Sequence, residues 1–269
     1  IGLSQVGKTT FIQAVTLVLS EIARNPGLPN AGFRACNDVT MKWYQDIRDR
    51  AARGVPTVPT VQLQERDVYL FKASDIPWWG SRTLALRDVA GESLRHYQFP
   101  NEQAEFCKQT KCALIAISLP DLESRKGEFI DQMLGSYVYT LRESKVRVND
   151  GRKVVIMLTK ADKMHDMLPP RLWEFFLNDP VRRALDGDPI VGIDLSTDAG
   201  MQEYFKSLEA ASKAISQWVS TLPQGSQLLK TANEEGIDLA FTLVSAWGSD
   251  PENEARQHIA PIRVLDPFF

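Results

Sequence analysis

Residues 2–9 read Gly-Leu-Ser-Gln-Val-Gly-Lys-Thr, and Thr10 to Leu19 continue as an apolar-rich helical stretch. The octapeptide fits G-x-x-x-x-G-K-[ST] position for position. In that pattern successive backbone N–H groups wrap a β-phosphate, and a helix starting near Lys8 turns its positive end toward the same anion. Lys8 reaches the β- and γ-phosphates, and Thr9 offers its hydroxyl to Mg²⁺. Ser4, Gln5, Val6, Gly7 and Thr10 complete the loop and the first helical turn around the phosphates. A chance Gly-Lys-Thr in a surface loop would leave the apolar helix behind it without a reason.

Such a loop normally follows a buried strand, and only Ile1 precedes Gly2. A sheet lacking its central strand exposes two unpaired edges. A first strand lying upstream, in a longer polypeptide, is therefore expected.

Downstream, Arg82-Thr-Leu-Ala-Leu-Arg87 runs into Asp88-Val-Ala-Gly91-Glu92. Its alternation suits a strand, whose end would bring Asp88 to the phosphate loop to hold Mg²⁺ through water. Gly91 would leave its N–H free for a γ-phosphate. The intervening stretch carries Gly54-Val-Pro-Thr57-Val-Pro-Thr60 ahead of a second alternating run, Val61 to Phe71. A threonine in a mobile loop before such a strand completes a Mg²⁺ shell and senses the γ-phosphate. Thr60 is the first choice and Thr57 the second; both also suit a plain Pro-rich turn.

Lys153-Val-Val-Ile-Met-Leu158 is a short apolar run of the kind found in buried parallel strands. It delivers Thr159-Lys160-Ala161-Asp162. A carboxylate at that strand end can accept both guanine N1–H and the 2-amino group, while adenine leaves it unpaired. The aliphatic stem of Lys160 would cover one face of the base, with Thr159 beside it. Leu239 to Val244 reads as the last strand and leads into Ser245-Ala246-Trp-Gly248. There the Ala246 N–H can meet the guanine O6 carbonyl.

The ordered set Gly2–Thr9, Thr60, Asp88–Gly91, Thr159–Asp162 and Ser245–Ala246 resembles the five-motif pattern of translation-factor-type (TRAFAC) Ras-like P-loop GTPases, over essentially the whole chain. The resemblance implies an α/β, three-layer fold with a mostly parallel six-stranded sheet and helices on both faces. It implies a single GTPase domain over residues 1–269, enlarged by helical insertions near 25–60 and 165–235. It also implies GTP/GDP and Mg²⁺ as ligands, with hydrolysis coupled to switch movement. The insertions, the Asp88–Glu92 segment and the closing Ile262–Phe269 look most like the bacterial double-GTPase branch associated with conflict systems. That branch implies a protein effector or a second GTPase domain as partner. Ras-like enzymes usually carry Gln where Glu92 stands. A carboxylate accepts a hydrogen bond from the attacking water but lacks the amide donor and adds charge beside an anionic phosphate. Glu92 is thus either catalytic or a helix-capping residue, and the chain either a GTP-hydrolysing switch or a GTP-binding scaffold with little turnover.

Composition narrows the remaining classes. Against 34 Asp+Glu stand 31 Lys+Arg in 269 residues, so no basic excess favours nucleic acid. No apolar run reaches a membrane-spanning length. Three scattered cysteines make no disulfide framework, in keeping with a cytoplasmic setting, and three scattered histidines offer no zinc spacing. Lys111 to Ser118 reads as a central strand and Lys126 to Arg142 as the helix after it. Two helical stretches, Arg171–Asp186 and Met201–Leu222, fill the larger insertion. His165 suits a loop or rim position. Trp78-Trp79 suits either an exposed turn for an effector or packing under the strand that follows.

Overall fold

The structure is a computed structural model. It describes residues 2, 6–26, 28, 30–53, 68–76, 79–87, 110, 112–123, 130–146, 151–186, 195, 197–248 and 260–269. In chain order the elements begin with helix α1 (Lys8–Ile22), strand β1 (Gly32–Ala35), helix α2 (Asp38–Ala52) and strands β2 (Val68–Ile76) and β3 (Gly80–Arg87). Strand β4 (Cys112–Ser118), helices α3 (Leu119–Glu123) and α4 (Ile130–Glu143) and strand β5 (Lys153–Thr159) follow, and a 3₁₀ turn spans Ala161–Met164. Then come helices α5 (Pro170–Leu177), α6 (Pro180–Asp186), α7 (Asp198–Val219) and α8 (Pro223–Glu234). Strand β6 (Leu239–Leu243) and a 3₁₀ turn at Asp266–Phe268 close the order. Among the described residues no helix is long and apolar enough to cross a membrane.

The chain divides into two compact units. The first comprises Ile1–Lys8, Val89–Trp173 and Glu209–Val244. Its centre is the parallel sheet β4-β5-β6, with Cys112 opposite Lys153 through Ser118 opposite Thr159, and Val154 opposite Leu239 through Leu158 opposite Leu243. Ile115, Ala116 and Ile117 of β4 and Ile156, Met157 and Leu158 of β5 are all buried, so both faces of these strands are covered. Helices α4 and α8 pack on each other, and Leu134 and Leu141 of the one and Leu228 and Ala232 of the other are buried.

The second unit comprises Thr9–Asp88, Glu174–Leu208 and Ser245–Phe269. Its sheet is antiparallel, in the order β1-β2-β3. Helix α2 lies against it, capped by Asn37, whose Oδ1 accepts the Thr40 N–H at 2.8 Å. Tyr44, Tyr69 and Phe71 form the buried centre of this packing, joined by Phe33 and Trp43. Trp43 stacks on Tyr69 with ring centroids 4.1 Å apart.

The expected architecture is overturned. Instead of one mostly parallel six-stranded sheet, the described residues form two separate three-stranded sheets, one parallel and one antiparallel. The physical reason is the connection at residues 77–79. It joins Ile76 to Gly80, far too short for the crossover that two parallel neighbours need, so β2 and β3 can pair only as a hairpin. The alternation in Arg82–Arg87 correctly marks a strand, but it belongs to this half-exposed hairpin and not to a parallel core. Helix α1 also precedes the first strand, β1. Gly2 makes an isolated parallel bridge to Ala116. Residues 171–186 are not one helix: Asn178-Asp179-Pro180 divides α5 from α6.

Candidate functional site

In the first unit the glycines of the phosphate-type loop answer to geometry. Gly2 is buried where it bridges Ala116. A Cβ on it would stand 2.7 Å from the Ala116 carbonyl oxygen and 2.9 Å from Val6 Cγ2, closer than real Cβ contacts come. Gly7 has φ +88°, a left-handed conformation that costs glycine little. Between them, Ser4 and Gln5 lie outside the described residues.

Val6 is buried, and its carbonyl accepts a 2.6 Å hydrogen bond from the Thr159 hydroxyl. That oxygen also lies 3.3 Å from the Ile117 carbonyl, but the hydroxyl has one proton and the shorter contact holds it. Thr159 is the last residue of β5 and is buried. Its hydroxyl therefore positions the loop. Helix α1 then opens at Lys8, with Thr9 and Thr10 in a first turn that contains no acidic side chain. The helix's own N–H groups and dipole thus favour an anion there without internal competition.

Beyond Thr159 the chain reverses at Lys160, which has φ 59° and ψ 33°. Left-handed backbone at a lysine costs about 1 kcal/mol relative to right-handed conformations, and such strain concentrates where a side chain must be aimed. The reversal buries Ala161, whose N–H donates to the Val244 carbonyl at 3.3 Å. Asp162 follows in the 3₁₀ turn, half-buried, and makes no hydrogen bond or ion pair with any described residue. His165 is exposed and bonds its neighbour Asp166 at 2.8 Å, as a rim residue does.

Ser245 and Ala246 belong to the second unit. Ser245 is buried and exchanges two backbone hydrogen bonds with Ile262, 3.1 and 2.8 Å long, while its hydroxyl accepts the Gly248 N–H at 2.8 Å. Gly248 is obligatory, since a Cβ there would fall 1.9 Å from the Ala260 carbonyl oxygen. Ala246 is half-buried at the turn, and its N–H has no partner among the described residues.

The same unit holds a buried ionic network that sequence reasoning missed. Arg263, Asp266, Asp179 and Tyr204 are all buried. The Arg263 guanidinium donates to Asp266 Oδ2 and to the Phe175 carbonyl, both at 2.7 Å, and to the Asn178 carbonyl at 2.6 Å. It also lies 3.5 Å over the Phe175 ring. The Arg263 N–H donates to Asp179 Oδ2 at 2.6 Å, while Asp179 Oδ1 accepts the Val181 and Arg182 N–H groups at the start of α6. The Tyr204 hydroxyl donates to Asp266. Burial pushes the Asp266 carboxyl up to about 6; Arg263 opposes that rise and Asp179 adds to it. Burial, followed by the Asp266 charge, holds the Tyr204 phenol well above its ordinary value. Trp79 is buried against Phe268 and Phe269, so it packs beneath its strand rather than facing an effector; Trp78 lies outside the described residues.

Thr57, Thr60, Asp88, Gly91 and Glu92 also lie outside the described residues. Among the described residues no group of three or more His, Cys, Asp or Glu side chains is arranged to hold a metal ion. Of the expected Mg²⁺ ligands only Thr9 is described. No family model, no curated protein and no solved structure matches the chain. The resemblance to TRAFAC Ras-like P-loop GTPases and their double-GTPase branch therefore fails on two grounds. Nothing matched supports it, and the two separate sheets lack the continuous parallel sheet that fold requires.

Proposed function

We propose that this protein binds GTP and hydrolyses it to GDP and phosphate, acting as a nucleotide-dependent switch in the cytoplasm, where GTP and Mg²⁺ are supplied. The reading rests on local chemistry and not on family membership. The observation that carries it is the hydrogen bond from Thr159 to the Val6 carbonyl, which ties the glycine-bounded loop ending at Lys8 to the strand end that presents Lys160 and Asp162. One compact unit thus brings a phosphate-type loop to a carboxylate without a described partner. The Lys8 ammonium and the α1 N–H groups would neutralise and orient the phosphates. Asp162 would accept N1–H and the 2-amino group of guanine, and the Lys160 stem would cover the base.

Bound Mg²⁺ would screen charge on the β- and γ-phosphates. Hydrolysis is an in-line attack by water on the γ-phosphorus. A phosphorus–oxygen bond forms, the bond to the bridging oxygen of GDP breaks, and the water's protons end on phosphate and solvent. A second reading, a GTP-binding scaffold with little turnover, is favoured by the carboxylate at Glu92.

Nucleotide affinity measured beside single-turnover hydrolysis tests both. Tight GTP binding with measurable phosphate release is expected; tight binding without release leaves the scaffold. Asp162→Asn should weaken GTP binding by about 10–100-fold and shift preference toward xanthosine triphosphate. Unchanged GTP affinity in that variant would remove Asp162 from the base and refute the reading.

A further inference from the structure

Ser118 carries a hydroxyl to which the fold gives no partner. The residue is 1% exposed, and its Oγ makes no hydrogen bond. A buried polar atom in that condition costs stability, so its position needs a reason. Ser118 is the last residue of β4 and lies in register with Thr159, the last of β5. Residues paired in this way on neighbouring parallel strands project from the same face of the sheet, so the two hydroxyls stand one strand apart on one face. The phosphate-type loop meets the sheet on both sides of Ser118. Gly2 bridges Ala116, whose other flank pairs with Met157, so Gly2 lies on the side of β4 away from β5. The Val6 carbonyl accepts from Thr159 on β5, at 2.6 Å. The same Thr159 oxygen lies 3.3 Å from the Ile117 carbonyl, so this contact sits beside the end of β4. Ser118 therefore stands between the two anchors of the loop, and every residue named belongs to the first unit.

When the N–H groups of a loop converge on an anion, its carbonyls turn away from that anion, toward the body of the protein. The Val6 carbonyl is turned in this way, and Thr159 uses one of its two lone pairs. We infer that Ser118 is a second positioning residue for the phosphate-type loop, its hydroxyl donating to the Val6 carbonyl when the loop holds a β-phosphate. The inference deepens the proposed guanine-nucleotide reading and rests on it. Ser118 does not touch the nucleotide. It ties the loop to the end of β4 as Thr159 ties it to β5, and the bond it gains on binding adds to affinity only for ligands that carry the β-phosphate.

The test compares GDP with GMP, which keeps the base, the ribose and one phosphate but lacks the β-phosphate. Ser118→Ala removes the hydroxyl, and Ser118→Cys removes the strong donor while nearly keeping the volume. Each variant should bind GDP about tenfold more weakly, with GMP affinity unchanged, so the preference between them falls by the same factor. A purely structural role scales both affinities together; that result, or no loss for either nucleotide, overturns the inference. Thr242→Val is the control. It deletes another buried hydroxyl without a partner, on β6 of the same sheet but in register with Met157 rather than Thr159. It should leave the preference intact, and an equal fall would assign the effect to sheet packing and overturn the inference. Without nucleotide, amide exchange across residues 112–118 should be no faster in Ser118→Cys than in wild type, since no hydrogen bond is lost. Faster exchange there would show that the hydroxyl already has a partner, and overturns it too. Wild-type protein that binds neither GTP nor GDP defeats the function reading, and this inference falls with it; wild-type binding with variants that keep the GDP preference defeats this inference alone.

Discussion

Replacing Asp266 by Asn should remove a pH dependence whose sign runs against ordinary acid denaturation. Burial is the main reason its carboxyl is pushed up from 3.8 to about 6; the Asp179 charge adds to it, while Arg263 and the Tyr204 hydroxyl oppose it. The folded chain therefore holds a proton between about pH 4 and 6 that the unfolded chain has released. Stability falls as pH rises across that window, and the loss is complete above pH 6. Its size is about 3 kcal/mol, of order one hundredfold in the opening equilibrium. Because the chain has two compact units, one global unfolding midpoint is a poor readout. Hydrogen exchange of the peptide covering residues 260–269 reports the network directly, and the ratio of wild-type to Asp266→Asn protection at each pH cancels intrinsic exchange chemistry. That ratio should fall by about 25-fold from pH 4.5 to pH 7, the part of the window above the unfolded-state value. A ratio that stays level, or rises with pH, would show that Asp266 is ionised in the fold at all these values and that burial does not govern it.

Gly2→Ala places a methyl group 2.7 Å from the Ala116 carbonyl oxygen, a backbone atom that cannot swing away. A loss of about 1–3 kcal/mol is expected in denaturant titration, and a variant as stable as wild type would mean that Gly2 does not approach β4 so closely. Lys160→Gly relieves the left-handed backbone and should raise stability by about 0.5–1 kcal/mol while weakening GTP binding through loss of the stem. Parallel losses of stability and affinity would contradict the strain, and unchanged affinity would remove Lys160 from the base.

The sequence made the first unit legible because its chemistry is carried by short contiguous strings. Gly2–Thr9 and Thr159–Asp162 each declare a strand-to-turn geometry. The apolar runs at residues 112–118 and 153–159 read as buried parallel strands, and they pair residue for residue. The sheet as a whole was not legible. A strand's alternation records which face is buried but not which neighbour it pairs with, and Arg82–Arg87 reads alike in a hairpin and at the edge of a parallel core. The deciding feature was a length: the connection between β2 and β3 is too short for a crossover.

The ionic network was invisible for a different reason. Asp179 and Tyr204 are far in sequence from each other and from the Arg263–Asp266 pair, and the four share no period. Asp179 lies inside the stretch Arg171–Asp186 that reads as helical, and Arg263 in the closing segment Ile262–Phe269. Charged side chains enter a core when several partners satisfy them at once, and that is a property of tertiary geometry alone. The signal that existed was indirect. Ile262-Arg-Val-Leu-Asp-Pro-Phe-Phe269 is mostly apolar, so a single arginine and aspartate three residues apart within it had either to face water or to pair. They pair, and the left-handed backbone at Arg263 shows the cost of bringing that about. The same segment bridges to Ser245 through Ile262, the residue directly before Arg263.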